Sequence, residues 1–335
     1  MKKTVLSGMR ATGKLHLGNY FGAAINYVKM QEEDLNCFYF IADWHSLTTQ
    51  HDSALLRKSV KEVLVNYLAC GLDPEKSSIY VQSDVKEISE LYLYLNMFAH
   101  KGELEKTASF KEKSRTKGQT INAGLLTYPV LMAADILIHR ANLVPVGKDQ
   151  EQHLEMTRTF ANRFNHVYKT DFLPEPQAYN FGNELVKIMS LDGVGKMSKS
   201  DENERNAIFL DDEPEDIRKK IKKAKTGNTP ETPNEEKSPA VEGLFSLMKL
   251  VSKEETYSFF NQEFNACSIR YGDFKGQLAE DIVKYFEPIR EKIKQYSADD
   301  KYLLKVSQDG AEKARINAQA CLKGMREIIG INYFK

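Results

Sequence analysis

The sequence predicts an α/β protein with a doubly wound parallel sheet, joined to a smaller all-helical C-terminal domain. In the first half of the chain, short apolar runs alternate with segments of helical periodicity, which is the strand–helix order of a parallel sheet. The run 37–42 is continuously apolar, as expected of a strand that is buried on both faces. From Val241 onward the patterns are helical only.

Strands and helices are expected in strict alternation through the sheet domain. The expected strands are 4–6, 37–42, 79–81 and 143–146. The expected helices begin at Gly18 and then cover 53–70, 88–98, 125–138 and 150–164, with Ser53 as an N-cap and Gly71 as a stop. Parallel sheets bind ligands at the carboxyl ends of their strands. Gly8, Asp43 and Gly147 each follow an apolar run, so we expect them at that edge.

The polar segment 101–122 breaks the alternation and is interpreted as an insertion. The sheet domain is expected over residues 1–200 and the helical domain over 205–335, with a polar loop at 193–204 near their junction. The helical domain is expected to contain helices at 214–225, 241–251, 253–264, 274–296 and 299–329. We expect the last of these to pack back on the sheet domain.

Composition and charge fit a globular protein of two domains. The 335 residues are 41% apolar and 28% charged, and Lys+Arg and Asp+Glu both number 47, so the net charge is zero. A polyanionic partner would therefore be held by local patches. The four cysteines are far apart, which argues against a zinc site or an iron–sulfur cluster. With no apolar leader or membrane-length run, a cytoplasmic location is expected.

The most informative short segment is Lys196-Met197-Ser198-Lys199-Ser200. It places two ammonium groups three residues apart beside two hydroxyls, and Gly193 and Gly195 precede it. Lysine is a flexible point charge that can follow phosphate oxygens, so the segment suits a triphosphate. The alternative is a solvated polar turn between two helices.

A glycine-rich segment, residues 7–20, follows the first predicted strand. Gly8 and Gly13 mark a loop, and helical periodicity begins at Gly18. A strand, a loop and a helix start form an anion site, because unpaired backbone N–H groups point at the ligand. His16 can donate to a phosphate or ribose oxygen, although a lone histidine is more often structural. The segment matches neither the Walker A nor the dinucleotide glycine motif, which argues against an ordinary kinase or dehydrogenase.

The two segments resemble the HIGH and KMSKS signatures of the class I aminoacyl-tRNA synthetases. The KMSKS match is complete, and His16-Leu17-Gly18-Asn19 keeps the histidine and glycine of HIGH, with asparagine last as in the tryptophan and tyrosine subgroup. Residues 124–137 and 144–158 resemble the amino-acid pocket of the tryptophan-specific members. The resemblance implies a Rossmann-like catalytic domain and a helical domain that binds the tRNA anticodon.

The activity that the resemblance implies is the charging of tRNA with tryptophan. L-tryptophan and ATP would give tryptophanyl-adenylate and pyrophosphate, and the amino acid would then pass to the 3′ end of tRNA(Trp). ATP would act with Mg²⁺ as a substrate, without a tightly bound metal or iron–sulfur cluster. The family also implies a homodimer, with the segment 101–122 in its interface, and no contact with membranes.

The resemblance assigns catalysis to a histidine of the first segment, two lysines of the second segment and one lysine of the insertion 101–122. These residues are His16, Lys113, Lys196 and Lys199. The lysines would hold the departing pyrophosphate, and Lys113 has a solvated loop lysine as its alternative. Further ATP contacts are implied at Arg10, Ala11, Thr12, Gly18, Asn19, Gly147, Lys148, Asp149, Ile188, Met197, Ser198 and Ser200. Arg10 and Lys148 depart from the family's common glutamine and glutamate.

The choice of amino acid rests on the apolar helix 125–138. A carboxylate in such a helix is costly without a partner, so Asp135 is expected to accept the indole N–H, which is a donor only. The alternative is a buried aspartate that caps a neighbouring helix. The tyrosine-specific relatives usually carry glutamine at the Met132 position, so Met132 favours tryptophan.

Four more residues are assigned to this pocket by the resemblance. Tyr128 and Gln150 would bind the α-ammonium group, and Leu6 would form an apolar wall. His45 follows the second predicted strand and is either a ligand contact or a hydrogen-bonded structural histidine.

Three rival functions stay open: a tyrosine enzyme of the same fold, a synthetase-like RNA-binding module without catalysis, and a nucleotidylyltransferase with the same nucleotide site. For tRNA, two helices carry candidate phosphate contacts, whose alternative is a solvated charged face. The candidates are Lys219, Lys220, Lys222, Lys223, Lys225, Lys313, Arg315, Lys323 and Arg326.

Overall fold

The computed structural model describes residues 2–107, 110–111, 122–147, 151–179, 188–198 and 203–334. Five strands in these ranges form one parallel sheet in the order β3-β2-β1-β4-β5. The strands are β1 (Lys3–Arg10), β2 (Leu35–Ala42), β3 (Ser77–Val81), β4 (Leu143–Val144) and β5 (Gln177–Ala178). The predicted doubly wound parallel sheet is confirmed, and β5 is a strand that the sequence pattern did not predict.

Helices connect the strands and make up the C-terminal region. Those of the sheet region are α1 (Leu17–Asn19), α2 (Ile25–Met30), α3 (Asp43–Ser46), α4 (Ser53–Ala69), α5 (Glu87–Phe98), α6 (Lys101–Leu104), α7 (Ala123–Ile138) and α8 (Glu151–Tyr168). The C-terminal helices are α9 (Pro214–Lys223), α10 (Pro239–Val251), α11 (Glu254–Asn265), α12 (Tyr271–Ser297) and α13 (Asp300–Ile329). A π-helical turn, Tyr20–Ala24, joins α1 to α2.

Two local expectations were wrong. Gly8 does not follow β1 but lies inside it, where an added Cβ would come within 2.4 Å of the Phe40 ring on β2. Ser53 does not cap α4, because the Asp52 carboxylate accepts the N–H groups of Ala54 and Leu55 instead. An ionised acceptor at the N-cap gains from the helix dipole, which a hydroxyl does not match.

The strand order creates a crevice beside β1. The chain runs from β1 outward through β2 to β3 on one side, and through β4 to β5 on the other. Ligands in such sheets bind at this switch point, outside the carboxyl ends of the strands. Arg10 ends β1, and Gly147 lies three residues beyond β4. The loops that follow β1 and β4 therefore both begin at this switch point.

Alternation along the strands divides the core into two clusters, one on each face of the sheet. On β2, Cys37, Tyr39 and Ile41 belong to one cluster, and Phe38 and Phe40 to the other. Successive strand residues point to opposite faces, and helices cover both faces, so every one of these side chains is buried. A continuous apolar run is the pattern that such burial requires.

Helix α13 packs against the edge strand β3. Gly310 makes the approach possible, because a Cβ at this position would lie 1.8 Å from the carbonyl oxygen of Ile79. The same helix adds apolar side chains to the cluster that contains Phe38, including Ala314, Ala318 and Met325. The last helix thus covers a sheet edge that would otherwise offer unpaired backbone groups.

Polar contacts also join α13 to the sheet region. The His139 ring accepts a hydrogen bond from the Tyr80 hydroxyl at Nε2, over 2.9 Å, and donates from Nδ1 to Asn317 Oδ1, over 2.8 Å. It stacks on Phe38 with ring centroids 4.4 Å apart. Burial lowers the pKa of His139 to about 4, so the ring is neutral near pH 7.

Three basic residues of α13 that were candidates for tRNA contact bind this chain itself. Lys313 donates to the Pro74 carbonyl over 3.0 Å. Arg326 pairs with Glu90 on α5 at 2.6 and 2.5 Å, and Arg315 lies 3.7 Å from Glu87. No helix of the described ranges is both long and apolar enough to cross a membrane.

Gly310→Ala should lower the free energy of unfolding by about 2 kcal/mol or more, because the new methyl group meets backbone rather than a side chain that can move. Gly276→Ala on α12 is the matched control, since a Cβ there meets nothing within 4 Å. Both substitutions gain helix propensity, so the control should be stabilised by roughly 0.5–1 kcal/mol. Urea unfolding of both variants measures the difference, and equal stabilisation would contradict the proposed close packing.

The neutral His139 predicts an acid-sensitive fold. Its folded pKa lies below the unfolded value, so its contribution is complete above pH 6.5 and is lost as the pH falls towards 4. Between pH 7 and pH 5 this amounts to about 2 kcal/mol. Urea unfolding at both pH values should show a smaller loss in His139→Gln, which cannot titrate there. An identical loss in the two proteins would rule out this linkage.

Candidate active site

The first loop is organised by a reciprocal cap at the start of α1. Asn19 donates its backbone N–H to His16 Nδ1 over 3.3 Å, and Asn19 Oδ1 accepts the backbone N–H of His16 over 3.1 Å. His16 is 4% exposed. A ring whose Nδ1 accepts a backbone N–H carries its proton on Nε2. The cap therefore fixes both the orientation and the tautomer of His16.

The lysine segment is one arm of a hairpin. Met197 donates its N–H to the Ile188 carbonyl over 2.8 Å, and Ser190 donates to Gly195 over 3.1 Å. Gly193 and Gly195 turn the chain with φ values of +75° and +72°, a region that favours glycine. Through Ser198, the segment is thus not a turn between two helices. Lys196 and Ser198 are exposed on this arm, while Met197 and Ile188 are buried.

The two distant segments meet through backbone pairing. Leu17 donates its N–H to the Ile208 carbonyl over 3.0 Å, and Leu210 donates to the Leu15 carbonyl over 2.9 Å. A Cβ added to Gly18 would lie 3.8 Å from the Cβ of Met197 and 2.9 Å from the His16 ring. The histidine loop and the hairpin are therefore neighbours, with Gly18 at their contact.

Arg10 lies at the mouth of the crevice, where its guanidinium donates to Thr49 Oγ1 over 2.9 Å. Burial lowers the pKa of Arg10, and its Nε is buried with no hydrogen-bond partner among the described residues. The next residue, Ala11, is fully buried, and Thr12 is exposed. A charged group that is buried without a carboxylate beside it suits an anionic ligand.

A buried polar cluster surrounds Asp135 on α7, which is 1% exposed. His45 Nε2 lies 2.8 Å from Asp135 Oδ2, and Gln82 Nε2 donates to Oδ1 and Oδ2 over 2.7 and 3.0 Å. Burial raises the pKa of Asp135, whereas the hydrogen bonds from His45 and Gln82 act in the opposite direction. The alternative of a helix-capping aspartate does not apply, because its partners are side chains at the ends of β2 and β3.

Tyr128, two turns further back along α7, faces the same cluster. Its hydroxyl is 2.7 Å from His153 Nε2 on α8, and its ring is edge-on to His45 with centroids 6.4 Å apart. Tyr128 and Met132 are half-buried, while Leu6 on β1 is fully buried in the adjoining cluster. The structure thus gathers these side chains along one face of α7.

Several predicted site residues lie outside the described ranges. These are Lys113, Lys148, Asp149, Gln150, Lys199 and Ser200. Gly147 is described and lies just before the gap that contains three of them. In the described part of the chain, no group of three or more histidine, cysteine or acidic side chains is arranged to hold a metal ion.

Two polar members of the site were missed from the sequence. Gln82 follows β3 directly, as Asp43 follows β2, and the two strand ends are joined where Asp43 accepts the Ser83 N–H over 3.1 Å. The position of Gln82 at the carboxyl edge of the sheet could have identified it as a candidate. His153 is buried on α8, and the sequence offers no sign that it faces Tyr128 rather than the core.

The lysines on and just after helix α9 differ in their exposure and in their pairing with carboxylates. Lys220 pairs with Asp212 over 2.5 Å, and both side chains are 13% exposed, so it is not available to a large polyanion. Lys222, Lys223 and Lys225 are exposed. Lys222 and Lys223 lie at the end of this helix, and Lys225 lies two residues beyond it.

Comparison with known proteins gives consistent matches over the chain. The family model described as "tRNA synthetases class I (W and Y)" matches residues 2–287. A tryptophan–tRNA ligase of Porphyromonas gingivalis is 56% identical over 328 residues, covering 98% of this chain and 99% of that protein. A tryptophan–tRNA ligase of Clostridium tetani is 43% identical over 331 residues, covering 98% of this chain and 96% of that protein.

Solved structures agree in fold. The tryptophanyl-tRNA synthetase of Campylobacter jejuni, complexed with ADP and tryptophan, superposes with a TM-score of 0.85 at 36% identity and covers 98% of this chain and 99% of its own. The family model matches most of the chain, and the two ligases align with nearly all of it. The similarity therefore extends to the sequence as well as to the fold. The chain belongs to the class I tRNA synthetases of the tryptophan and tyrosine family.

Proposed function

We infer that this chain is a tryptophan–tRNA ligase, which activates L-tryptophan with ATP and transfers it to tRNA(Trp). The observation that carries the inference is the 56% identity, over 98% of the chain, to a relative of that activity. The rival function as a tyrosine enzyme would require a different amino-acid pocket. The buried Asp135 and the adjoining Met132 support tryptophan, because its indole N–H is a donor that a carboxylate can accept.

The proposed reaction has two transfers. A carboxylate oxygen of tryptophan attacks the α-phosphorus of ATP, and the bond to the β-phosphate oxygen breaks to release pyrophosphate. The ribose hydroxyl at the tRNA 3′ end then attacks the carbonyl carbon of the adenylate, and AMP leaves. Such phosphoryl chemistry asks the protein mainly for positioning and charge stabilisation.

We propose that His16 and Lys196 act on the phosphates of Mg²⁺–ATP, together with Lys113 and Lys199. Support comes from the fixed Nε2–H tautomer of His16 and from the exposed ammonium-bearing hairpin beside Gly18. A cation on a hairpin held by two backbone bonds can strengthen its contact as charge develops on the leaving pyrophosphate.

The remaining ATP contacts are proposals of the same kind. Residues 10–12, Gly18, Asn19 and Gly147 line the crevice at the sheet edge. Ile188 and Met197 would flank the adenine, and Lys148 and Asp149 would meet the ribose. Arg10 is proposed to bind the anionic reactants, either a phosphate or the tryptophan carboxylate, because its buried Nε has no partner in the described ranges.

The tryptophan site is proposed along one face of α7. Asp135 would accept the indole N–H, Met132 and Leu6 would contact the ring, and Tyr128 and Gln150 would bind the α-ammonium group. His45 would act through Asp135, to which it is hydrogen-bonded over 2.8 Å. A pocket that hydrogen-bonds the substrate rejects competitors that lack the donor.

Three further features complete the proposal. A homodimer is proposed on the side of α5, where Leu93 and Met97 expose 53% and 71% of their surfaces one turn apart. The exposed lysines of α9 are proposed to contact tRNA phosphates. The proposed location is the cytoplasm, where the product of this reaction is used.

ATP–pyrophosphate exchange, measured with each amino acid in turn, tests the inferred function. Exchange should require tryptophan and should not be supported by tyrosine, because the smaller phenol leaves part of an indole-sized pocket unfilled and carries its donor at a different position from the indole N–H. Loading of tRNA with tryptophan is the second readout and would exclude a nucleotidylyltransferase. Exchange with tyrosine alone would identify the tyrosine enzyme, and exchange with no amino acid would indicate a non-catalytic RNA-binding protein.

Lys196→Ala should slow adenylate formation by roughly 100-fold, with little change in tryptophan affinity, because it removes a contact that strengthens in the transition state. Lys199→Ala is expected to behave alike. Lys301→Ala, at an exposed lysine of α13, is the matched control and should leave the rate unchanged. Single-turnover kinetics and calorimetric binding of tryptophan separate the two effects. A loss of tryptophan affinity with an intact rate would contradict the assigned role.

A further inference from the structure

Gln82 is a buried side chain whose role the proposed reaction does not explain. It begins the short turn Gln82–Asp84 at the carboxyl end of β3, and it is 0% exposed. Its amide nitrogen is the donor to both carboxylate oxygens of Asp135, over 2.7 and 3.0 Å. The carboxylate thus forces the amide to present its nitrogen, and the amide oxygen must point elsewhere.

That amide oxygen, Oε1, is buried and has no hydrogen-bond partner among the residues that the structure describes. A buried acceptor without a donor lowers stability. If this position served folding alone, an apolar side chain of similar size would avoid that cost. The amide oxygen, unpaired within the described ranges, lowers the stability of the fold, while the amide nitrogen holds Asp135 in place. We therefore expect this arrangement to serve ligand binding.

The donors around Asp135 leave its two oxygens unequal. Oδ2 receives hydrogen bonds from both His45 and Gln82, whereas Oδ1 receives one, from Gln82. Each carboxylate oxygen can accept two hydrogen bonds. Oδ1 is therefore the oxygen with capacity for another donor in the described surroundings, and the two hydrogen bonds from one amide nitrogen hold the plane of the carboxylate in place.

We propose that Gln82 is a positioning residue for tryptophan recognition, which holds Asp135 so that Oδ1 is presented to the indole N–H. This rests on the proposed function. Gln82 makes no substrate contact in this role; it acts through Asp135, as a second partner of the carboxylate beside His45. Its removal should therefore impair selection of the indole N–H more than it impairs the chemistry of activation.

A tryptophan analogue that lacks the ring N–H separates this role from a structural one. In 3-(benzothienyl)alanine, sulfur replaces the indole N–H with little change in shape. The quantity to measure is the kcat/KM for tryptophan divided by that for the analogue, by ATP–pyrophosphate exchange. Gln82→Met removes the amide donor at similar length and should lower this ratio roughly tenfold or more. A purely structural role would lower both values together and leave the ratio unchanged.

Gln319→Met is the matched control, because Gln319 also donates its amide N–H to a carboxylate, that of Glu87, over 2.8 Å and away from the pocket. Its ratio should equal that of the unsubstituted protein. Asp135→Asn should lower the ratio at least as much as Gln82→Met. If Gln82→Met does not fold, Gln82→Asn retains a polar amide that is too short to reach both oxygens, and its ratio should fall as well.

An unchanged ratio in a folded Gln82 variant would overturn the proposal. This outcome is distinct from failure of the inferred function, which would appear as absence of tryptophan-dependent exchange in the unsubstituted protein. A high ratio in that protein, with a loss in both the Gln82 and Asp135 variants, is the expected result.

Discussion

The backbone pairing of residues 15–17 with residues 208–210 is the contact that joins the His16 loop to the chain that follows the lysine hairpin. Two hydrogen bonds, of 3.0 and 2.9 Å, place the strand-like segment after the lysine hairpin beside the loop that carries His16. The chain leaves this loop at the start of the sheet domain and returns almost two hundred residues later. A Cβ added to Gly18 would lie 3.8 Å from the Cβ of Met197, so the His16 loop and the hairpin arm that carries Lys196 are neighbours.

Helix α7 links the buried polar cluster around Asp135 to the C-terminal helix. Asp135 lies on α7 and His139 directly follows its last residue, one helical turn further along. Both side chains are buried, and each is hydrogen-bonded to side chains of other elements. Asp135 is held by His45 and Gln82, and His139 by Tyr80 and Asn317. Burial favours the neutral form of both groups, raising the pKa of Asp135 and lowering that of His139. The packing of α13 and the position of the Asp135 carboxylate therefore depend on the same helix.

Much of the fold was predictable, because the strands and helices carry strong periodic signals. The helix 125–138 was predicted within two residues of α7, and the order of the sheet domain was correct. The strand β5 was missed because its two residues, Gln177 and Ala178, are exposed and carry no apolar pattern. The side chains of Gln82 and His153, which contact Asp135 and Tyr128, were missed for another reason: residue type and position along the chain do not identify the side chain that a polar residue will meet. The charge pattern of α13 did not show that Arg326 and Lys313 bind the sheet region, because that contact depends on how the helix packs.

The sequence by itself determined the local features: two short segments that match the signatures of the family, an aspartate in an apolar helix, and an alternating pattern that builds a parallel sheet. These are local properties, carried by residue type and spacing. Tertiary structure alone decided which groups meet. It paired the His16 loop with residues 208–210, turned the amide of Gln82 onto Asp135, and laid Gly310 against the backbone of Ile79. The physical reason is that hydrogen bonds and close packing between distant segments depend on relative position, which no local pattern encodes.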